Sequence, residues 1–197
     1  MIELPEGVVP NYVRPSLIDF GGVLRPPLGG PIQRINRLGN RYRVEVGLPP
    51  VVNRDVGRVV VSRLLRAKTE GLRIEWQLAG VDQGSPGNPV VDGDDQAGST
   101  IQLKGIRPGY GAGEGYWLSI ATDGQHYLYC TAAPAREDGY GGIELDLVPH
   151  LRVSPADGDV VHLQKPMIEG LVIGEGWSWE YSLEHHVGIQ FAIEEAG

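Results

Sequence analysis

Only one stretch of this chain has the periodicity of a helix, and it constrains the fold more than any other feature. Between residues 54 and 70 apolar side chains recur at three- and four-residue spacing, as at Val56, Val60 and Leu64. Asn53 is suited to cap the helix start and Gly71 to end it. Because consecutive valines are poor helix formers, burial against a sheet has to stabilise this helix.

Strand-like alternation lies on both sides of the helix. Residues 41–46 alternate between charged and apolar side chains, and residues 72–78 alternate again. The 29 glycines and 15 prolines have no collagen-like period and indicate many tight turns between short strands. The sequence therefore predicts a mainly β protein with one helix packed on β-sheet, rather than an alternating α/β fold.

A change of composition divides the chain after residue 80. Gly, Pro, Asn and Asp dominate residues 81–98, which predicts a linker. Residues 99–165 then predict an inserted small β-barrel or sandwich of five short strands, with a hairpin turn at Asp123-Gly124. The predicted strands are Ser99–Leu103, Gly115–Ala121, Gln125–Ala133, Gly142–Val148 and Asp159–Leu163.

The two ends of the chain have different patterns. Apolar side chains alternate from Trp177, Trp179, Tyr181 and Leu183 to Ile193, which predicts one bent strand or a hairpin that needs a sheet to pack on. Residues 166–197 are therefore expected to return to residues 1–80 as one discontinuous domain. The first ten residues are expected to form an extended arm, of a kind that can pair with a neighbouring chain.

The charges are unevenly distributed along the sequence. Residues 1–73 carry a net charge of +6 and residues 74–197 carry −14, for a total of −8. This asymmetry fits a nucleic-acid face, complementary faces between copies of one protein, or simply solvated side chains. The most basic strand segment contains Arg34, Arg37, Arg41 and Arg43, but it lacks the clustered exposed aromatics expected of a single-strand binder.

No motif in the sequence indicates catalysis, a cofactor or a metal. There is no GxSxG nucleophile elbow, and the Gly-rich run at 108–115 lacks the lysine and hydroxyl of a phosphate loop. The adjacent His185 and His186 would point to opposite faces of a strand. The carboxylate pairs Asp94-Asp95 and Glu194-Glu195 lie in polar segments and are expected to be solvated. We predict a non-enzymatic protein without a cofactor.

Other residues are typical of the core of a soluble protein. Cys130, the one cysteine, lies in an apolar run and is expected to be a buried thiol. Trp117 fits either a sugar-stacking platform or the core. No segment has the length and hydrophobicity of a membrane helix or a Sec-type signal. A carbohydrate-binding β module and a small β-rich hydrolase remain as alternative functions from other classes.

Several stretches resemble one family. They are PSLIDFGGVLRPPLGGPIQRINRLGNRYRVEVGLPP at 15–50, RLLRAKTEG in the helix, EGYWLSIATDGQHYLYCT at 114–131, VPHLRVSPADGDVV at 148–161 and KPMIEG at 165–170. In residue pattern and in order they are similar to the distal tail proteins of long-tailed (siphophage-type) bacteriophages. The similarity extends over most of the chain.

The resemblance implies a specific role. Proteins of that family have a tail-tube-like β-sandwich with one flanking helix, and they form rings, usually hexamers, around the DNA channel. The ring joins the tail tube to the tail-tip hub or baseplate. The expected partners are thus other copies of the chain, the tube protein and the hub, with DNA only as passing cargo and no membrane insertion. The expected location is the virion, after assembly in the host cytoplasm.

In such a ring the charge asymmetry would help neighbouring subunits to bind. A basic early half and an acidic later half would supply complementary faces for head-to-tail contacts, with Arg34, Arg37, Arg41 and Arg43 as candidate interface residues. An acidic channel lining would also repel the phosphates of passing DNA.

Overall fold

The computed structural model describes residues 1–174, 178–181 and 186–196, with the backbone alone described for Asn53, Tyr181, His186 and Val187. Within these residues the fold is mainly β with one α-helix, as the sequence predicts. The first strands are β1 (Ile2–Glu3), β2 (Tyr12–Ile18), β3 (Gly22–Leu24), β4 (Gln33–Ile35), β5 (Arg41–Val52), β6 (Leu72–Glu75), β7 (Gly87–Val91), β8 (Thr100–Ile106) and β9 (Gly111–Ala112). They are followed by β10 (Trp117–Thr122), β11 (Gln125–Thr131), β12 (Ala135–Arg136), β13 (Ile143–Val148), β14 (Val160–His162), β15 (Met167–Ile173), β16 (Trp179–Tyr181) and β17 (His186–Glu195).

The first body is a seven-stranded sheet built from both ends of the chain. Its order is β1-β6-β15-β17-β5-β2, with β16 paired to β17 as a hairpin. The chain therefore returns to its first sheet, as predicted. The strands predicted as a sandwich are hydrogen-bonded into one continuous sheet. The predicted apolar face at Trp177 and Leu183 lies outside the described residues.

The helix covers this sheet. A π-helical turn, Asn53–Gly57, leads into α1 (Arg58–Glu70), in agreement with the predicted helix over 54–70. Its buried side chains are Val60, Val61, Leu64 and Ala67, whereas Val56 is exposed because it precedes the regular turns. Gly57, without a side-chain cap, precedes α1, and the Asn53 side chain lies outside the described residues.

The second body is a closed barrel with the order β10-β11-β13-β8-β7-β14. Each of the five predicted segments overlaps one of its strands, although β8 and β10 extend past the predicted ends. The prediction that residues 81–98 form only a linker is wrong, because β7 lies within them and pairs with both β8 and β14. The Asp123-Gly124 turn has positive φ at both residues, 52° and 79°, as its hairpin requires.

The two bodies share part of their interiors. One apolar core lies between α1 and the sheet, and a second fills the barrel. Leu128 of the barrel strand β11 belongs to the first core. Trp117 packs there too, with its ring centroid 5.0 Å from Tyr42 and 4.5 Å from Trp76. Trp117 is therefore part of the packing between the bodies rather than an exposed platform.

The N-terminus is part of the main sheet, whereas the segment after β2 is not. The first residues do not extend away from the molecule, since β1 pairs in parallel with β6 and Ile2 is buried. By contrast, β3 and β4 pair only with each other. No side chain from residue 19 to residue 39 is buried. We call residues 19–39 the hairpin arm.

Candidate functional site

The hairpin arm exposes large apolar side chains along its whole length. An isolated two-stranded hairpin is marginally stable in water, and contiguous exposed apolar surface marks interaction sites. Leu28 at the tip is 98% exposed. The exposed apolar residues of the arm are Phe20, Val23, Leu24, Leu28, Ile32, Ile35 and Leu38.

Polar contacts fix the base of the arm to the sheet. The Asp19 carboxylate accepts hydrogen bonds from the Gly21 N–H at 2.8 Å and from the Arg34 guanidinium at 2.5 Å. These contacts, the backbone N–H first, hold the pKa of Asp19 below its usual value. The Phe20 N–H donates to the Asn40 side chain at 2.8 Å, and the Arg41 guanidinium lies 5.0 Å from the centre of the Phe20 ring. The arm therefore projects from an ordered base.

The structure separates the four candidate interface arginines into two pairs. Arg34 and Arg37 lie on the arm, and Arg37 is exposed, with no side-chain hydrogen bond to any described residue. Arg41 lies on β5, where its guanidinium donates to the Glu194 carboxylate at 2.9 and 2.7 Å. Arg43 is half-buried on the same strand. Arg34 and Arg41 thus have internal acidic partners, Asp19 and Glu194, whereas Arg37 has none among the described residues.

A cavity of about 440 Å³ lies between the arm and the barrel. We call it the arm–barrel cavity. Its apolar lining includes Leu17, Val148 and Pro149, and its polar lining includes Arg34 and Arg37. It is the place where the basic arm residues and apolar surface of the chain come together.

A buried ion pair joins the sheet to the barrel. The Glu195 side chain is 1% exposed and accepts hydrogen bonds from the Arg152 guanidinium at 2.6 Å, the Tyr42 N–H at 2.6 Å and the Leu128 N–H at 2.8 Å. Burial raises the pKa of Glu195, and the Arg152 charge opposes that rise. The guanidinium also lies 5.2 Å from the centre of the Tyr127 ring. This contact lets an aromatic face stabilise part of the buried charge.

The expectation that Glu195 would be solvated is wrong. On β17 the inward-facing residues are Ile189, Phe191 and Ile193, so period two brings Glu195 to the inner face and Glu194 to the outer one. The alternation of inward- and outward-facing residues along β17 could have identified this buried carboxylate from the sequence. Nothing in the local sequence around Arg152 indicated its partner, because that contact depends on how the barrel packs on the sheet.

A second ion pair lies within the sheet, beside the same junction. Buried Glu169 on β15 accepts a hydrogen bond from Arg73 of β6 at 2.7 Å. Arg73 also donates to the Gly124 carbonyl of the barrel at 3.1 Å. The Glu195–Arg152 pair and this hydrogen bond from Arg73 to Gly124 both connect the bodies, so side-chain contacts hold the barrel on the sheet.

Two histidines of the barrel lie close to Arg73 of the sheet. The rings of His126 and His162 are 5.0 Å apart, and Nδ1 of His126 lies 3.4 Å from the Ser119 hydroxyl. Burial, Arg73 and His162 lower the pKa of His126 to about 4. Among the described residues no group of three or more His, Cys, Asp or Glu side chains is placed to hold a metal ion. Cys130 is half-buried, and the Glu184-His185 pair lies outside the described residues.

Comparison with known proteins adds no assignment. The chain matches no protein-family model, and it matches none of the curated proteins. In the part of the chain that the structure describes, no helix is both long enough and apolar enough to cross a membrane.

Proposed function

We propose that this chain is a structural protein of a bacteriophage tail tip, which assembles with copies of itself into a ring at the distal end of the tail tube. The ring joins the tube to the hub or baseplate around the DNA channel, so the protein belongs to the virion. The observation that carries the proposal is the hairpin arm, whose seven large apolar side chains are 42–98% exposed in the described chain.

The arm supports self-assembly for a physical reason. Leaving large apolar side chains in water is unfavourable, at roughly 25 cal/mol per Å² of apolar surface, and a neighbouring subunit would remove that surface from water. The ordered base of the arm lowers the entropic cost of docking it. A projecting arm that fits elsewhere on an identical subunit makes a head-to-tail contact, and such contacts close into rings when the rotation permits.

The charges and the fold fit the same role. The mainly β fold with one helix on the sheet and a small barrel agrees with what the resemblance to distal tail proteins implies. A net charge of −8 disfavours retention of DNA that only passes through. The sixfold symmetry, the tube protein and the hub as partners follow from the resemblance.

The test compares the wild-type protein with a triple variant of the arm, Leu24→Thr, Leu28→Ser and Ile32→Thr, by sedimentation velocity over a range of concentrations. We expect the wild type to form a discrete oligomer and the variant to sediment as a monomer with an unchanged circular dichroism spectrum, since no side chain of the arm is buried. Leu171→Thr, at another exposed apolar position, is the matched control and should keep the oligomer. A monomeric wild type, or an arm variant that assembles normally, contradicts the proposal.

A further inference from the structure

A barrel loop holds one tyrosine almost completely in solvent. Tyr140 is 96% exposed at the centre of the loop between β12 and β13. The Glu137 carboxylate accepts hydrogen bonds from the N–H groups of Gly139 and Gly141 at 2.8 Å, and from Gly109 of a neighbouring loop at 3.0 Å.

A second carboxylate completes the order of this loop. Asp138 accepts from the N–H groups of Tyr140 at 2.7 Å and Gly142 at 3.0 Å. These backbone hydrogen bonds lower the pKa values of both Glu137 and Asp138, so the base of the loop is anionic. The loop is therefore ordered and acidic, with a single aromatic ring at its tip.

Such a tip suits a pocket on another protein. An aromatic side chain on an ordered loop supplies a large contact area at little cost in conformational entropy. A sugar site would need hydrogen-bonding groups directed outward beside the ring. Here the Glu137 and Asp138 carboxylates accept hydrogen bonds from the loop's own backbone instead.

The arm–barrel cavity has the complementary chemistry. Its lining includes Leu17, Val148 and Pro149, which suit an aromatic ring, and Arg37, which suits the anionic base of the loop. Arg37 has no side-chain hydrogen bond or ion pair with any described residue, so its charge is available to a neighbour. The cavity lining carries Arg34 and Arg37 against a single acidic side chain, Asp146, so its net formal charge is opposite in sign to that of the loop.

The tyrosine and the cavity lie at opposite ends of one strand. Tyr140 precedes the start of β13 by three residues, whereas Val148 at the other end of β13 lines the cavity. A strand of this length spans roughly 20 Å, so the two features are kept apart within one molecule. They can meet only between molecules, and the contact is head-to-tail.

We propose that Tyr140 of each copy inserts into the arm–barrel cavity of the next copy, with Glu137 and Asp138 facing Arg37. This inference rests on the proposed self-assembly and identifies a second contact, between barrels, beside that of the hairpin arm. The occupant of the cavity is thus a second copy of this chain.

Photo-cross-linking from position 140 tests the contact directly, because the photoreactive residue p-benzoylphenylalanine in place of Tyr140 keeps an aromatic ring there. Irradiation should give a covalent dimer whose cross-link maps to residues that line the cavity, such as Ala132 and Val148. The same photoreactive residue in place of Leu171, which is exposed but outside the cavity, should give no cross-link to these residues.

Sedimentation of loop variants gives an independent readout. Tyr140→Ala should weaken association by about tenfold or more, whereas Tyr140→Phe, which keeps the ring, should have little effect. Arg37→Glu should weaken it as well, and Arg54→Glu on the exposed side of the π-helical turn should not.

The outcomes separate the two proposals. If the wild type forms oligomers but position 140 gives no cross-link to the cavity and Tyr140→Ala assembles normally, the Tyr140 contact is wrong and the ring proposal stands. A cross-link from position 140 to the same loop of another copy would also overturn the head-to-tail contact. If the wild type is monomeric at every concentration, the ring proposal itself fails. Binding of a panel of oligosaccharides that depends on Tyr140, without an effect on sedimentation, would assign the loop to sugar instead.

Discussion

At the scale of single residues, we expect the buried charge of Glu195 to have a large effect on the stability of the fold. Its substitution by glutamine keeps the side-chain shape but leaves the buried Arg152 guanidinium without a counter-charge. Breaking a buried ion pair in this way costs about 3–5 kcal/mol. We therefore expect Glu195→Gln to lower the free energy of unfolding by that amount, measured by urea denaturation at pH 7.

The neighbouring residue is a matched control. Glu194 lies on the outer face of β17 and pairs with the partly exposed Arg41. Because partly exposed pairs contribute little, Glu194→Gln should cost no more than about 1 kcal/mol. Equal losses for the two variants would contradict the assignment of Glu195 as the buried member.

His126 makes the stability depend on pH. Its pKa in the folded protein is about 4, so between the ordinary value of 6.5 and about 4 the unfolded chain binds a proton that the folded chain does not. Stability from this group is therefore complete above pH 6.5 and falls as the pH falls, by up to about 3 kcal/mol. His162 acts in the same direction, since its pKa is lowered too.

The groups around His126 explain the sign of the effect. Arg73 and His162 disfavour a further positive charge, and the carboxylate of Glu169 is engaged by Arg73. The free energy of unfolding, measured by urea denaturation, should fall less between pH 7 and pH 5 in His126→Gln than in the wild type. His150→Gln, at an exposed position, should retain the wild-type loss. An identical pH dependence in all three proteins would show that His126 titrates normally.

At the scale of elements, α1 is held by one buried stripe. Leu64 is fully buried against the sheet, while its neighbour Leu65 is about half exposed. Truncation of a buried leucine to alanine costs roughly 2–5 kcal/mol, whereas exposed truncations usually stay within about 0.5 kcal/mol. We expect that contrast between Leu64→Ala and Leu65→Ala in urea denaturation. Similar losses would indicate a different face of the helix on the sheet.

The elements also show which patterns a sequence can reveal. Period two over β5 predicts the burial of Tyr42, Val44 and Val46, because one strand face alone determines it. By contrast, β7 is short and surrounded by Gly and Pro, so its composition is that of a linker. Only its pairing with β8 and β14 makes it a strand, and that pairing depends on closure of the whole barrel.

The candidate interface residues illustrate the same limit. Their local sequence groups Arg34, Arg37, Arg41 and Arg43 into one basic segment. The turn at residues 36–40 places two of them on the projecting arm and two on the sheet, where Arg41 has an internal partner in Glu194. Charge reversal at Arg41 would therefore disturb the sheet as well as any interface, so Arg37 is the cleaner position for testing assembly.

At the scale of the whole molecule, the sheet and the barrel pack together, and the two strands of the hairpin arm pair only with each other. The Glu195–Arg152 ion pair, the hydrogen bond from Arg73 to the Gly124 carbonyl and the packing of Trp117 on Trp76 hold the two bodies together. The two-part organisation follows from composition and turn spacing, but this junction does not, because its partners are far apart in sequence. The hairpin arm contributes seven large apolar side chains to the exposed surface of the described chain.

Electron microscopy of the purified protein tests most directly whether the chain assembles into a closed ring. Head-to-tail contacts through the hairpin arm predict ring-shaped particles of one diameter with an open centre. The variant carrying Leu24→Thr, Leu28→Ser and Ile32→Thr should yield single subunits under the same conditions. Wild-type particles of the size of one chain, at concentrations where the apolar arm remains exposed to solvent, would contradict the account.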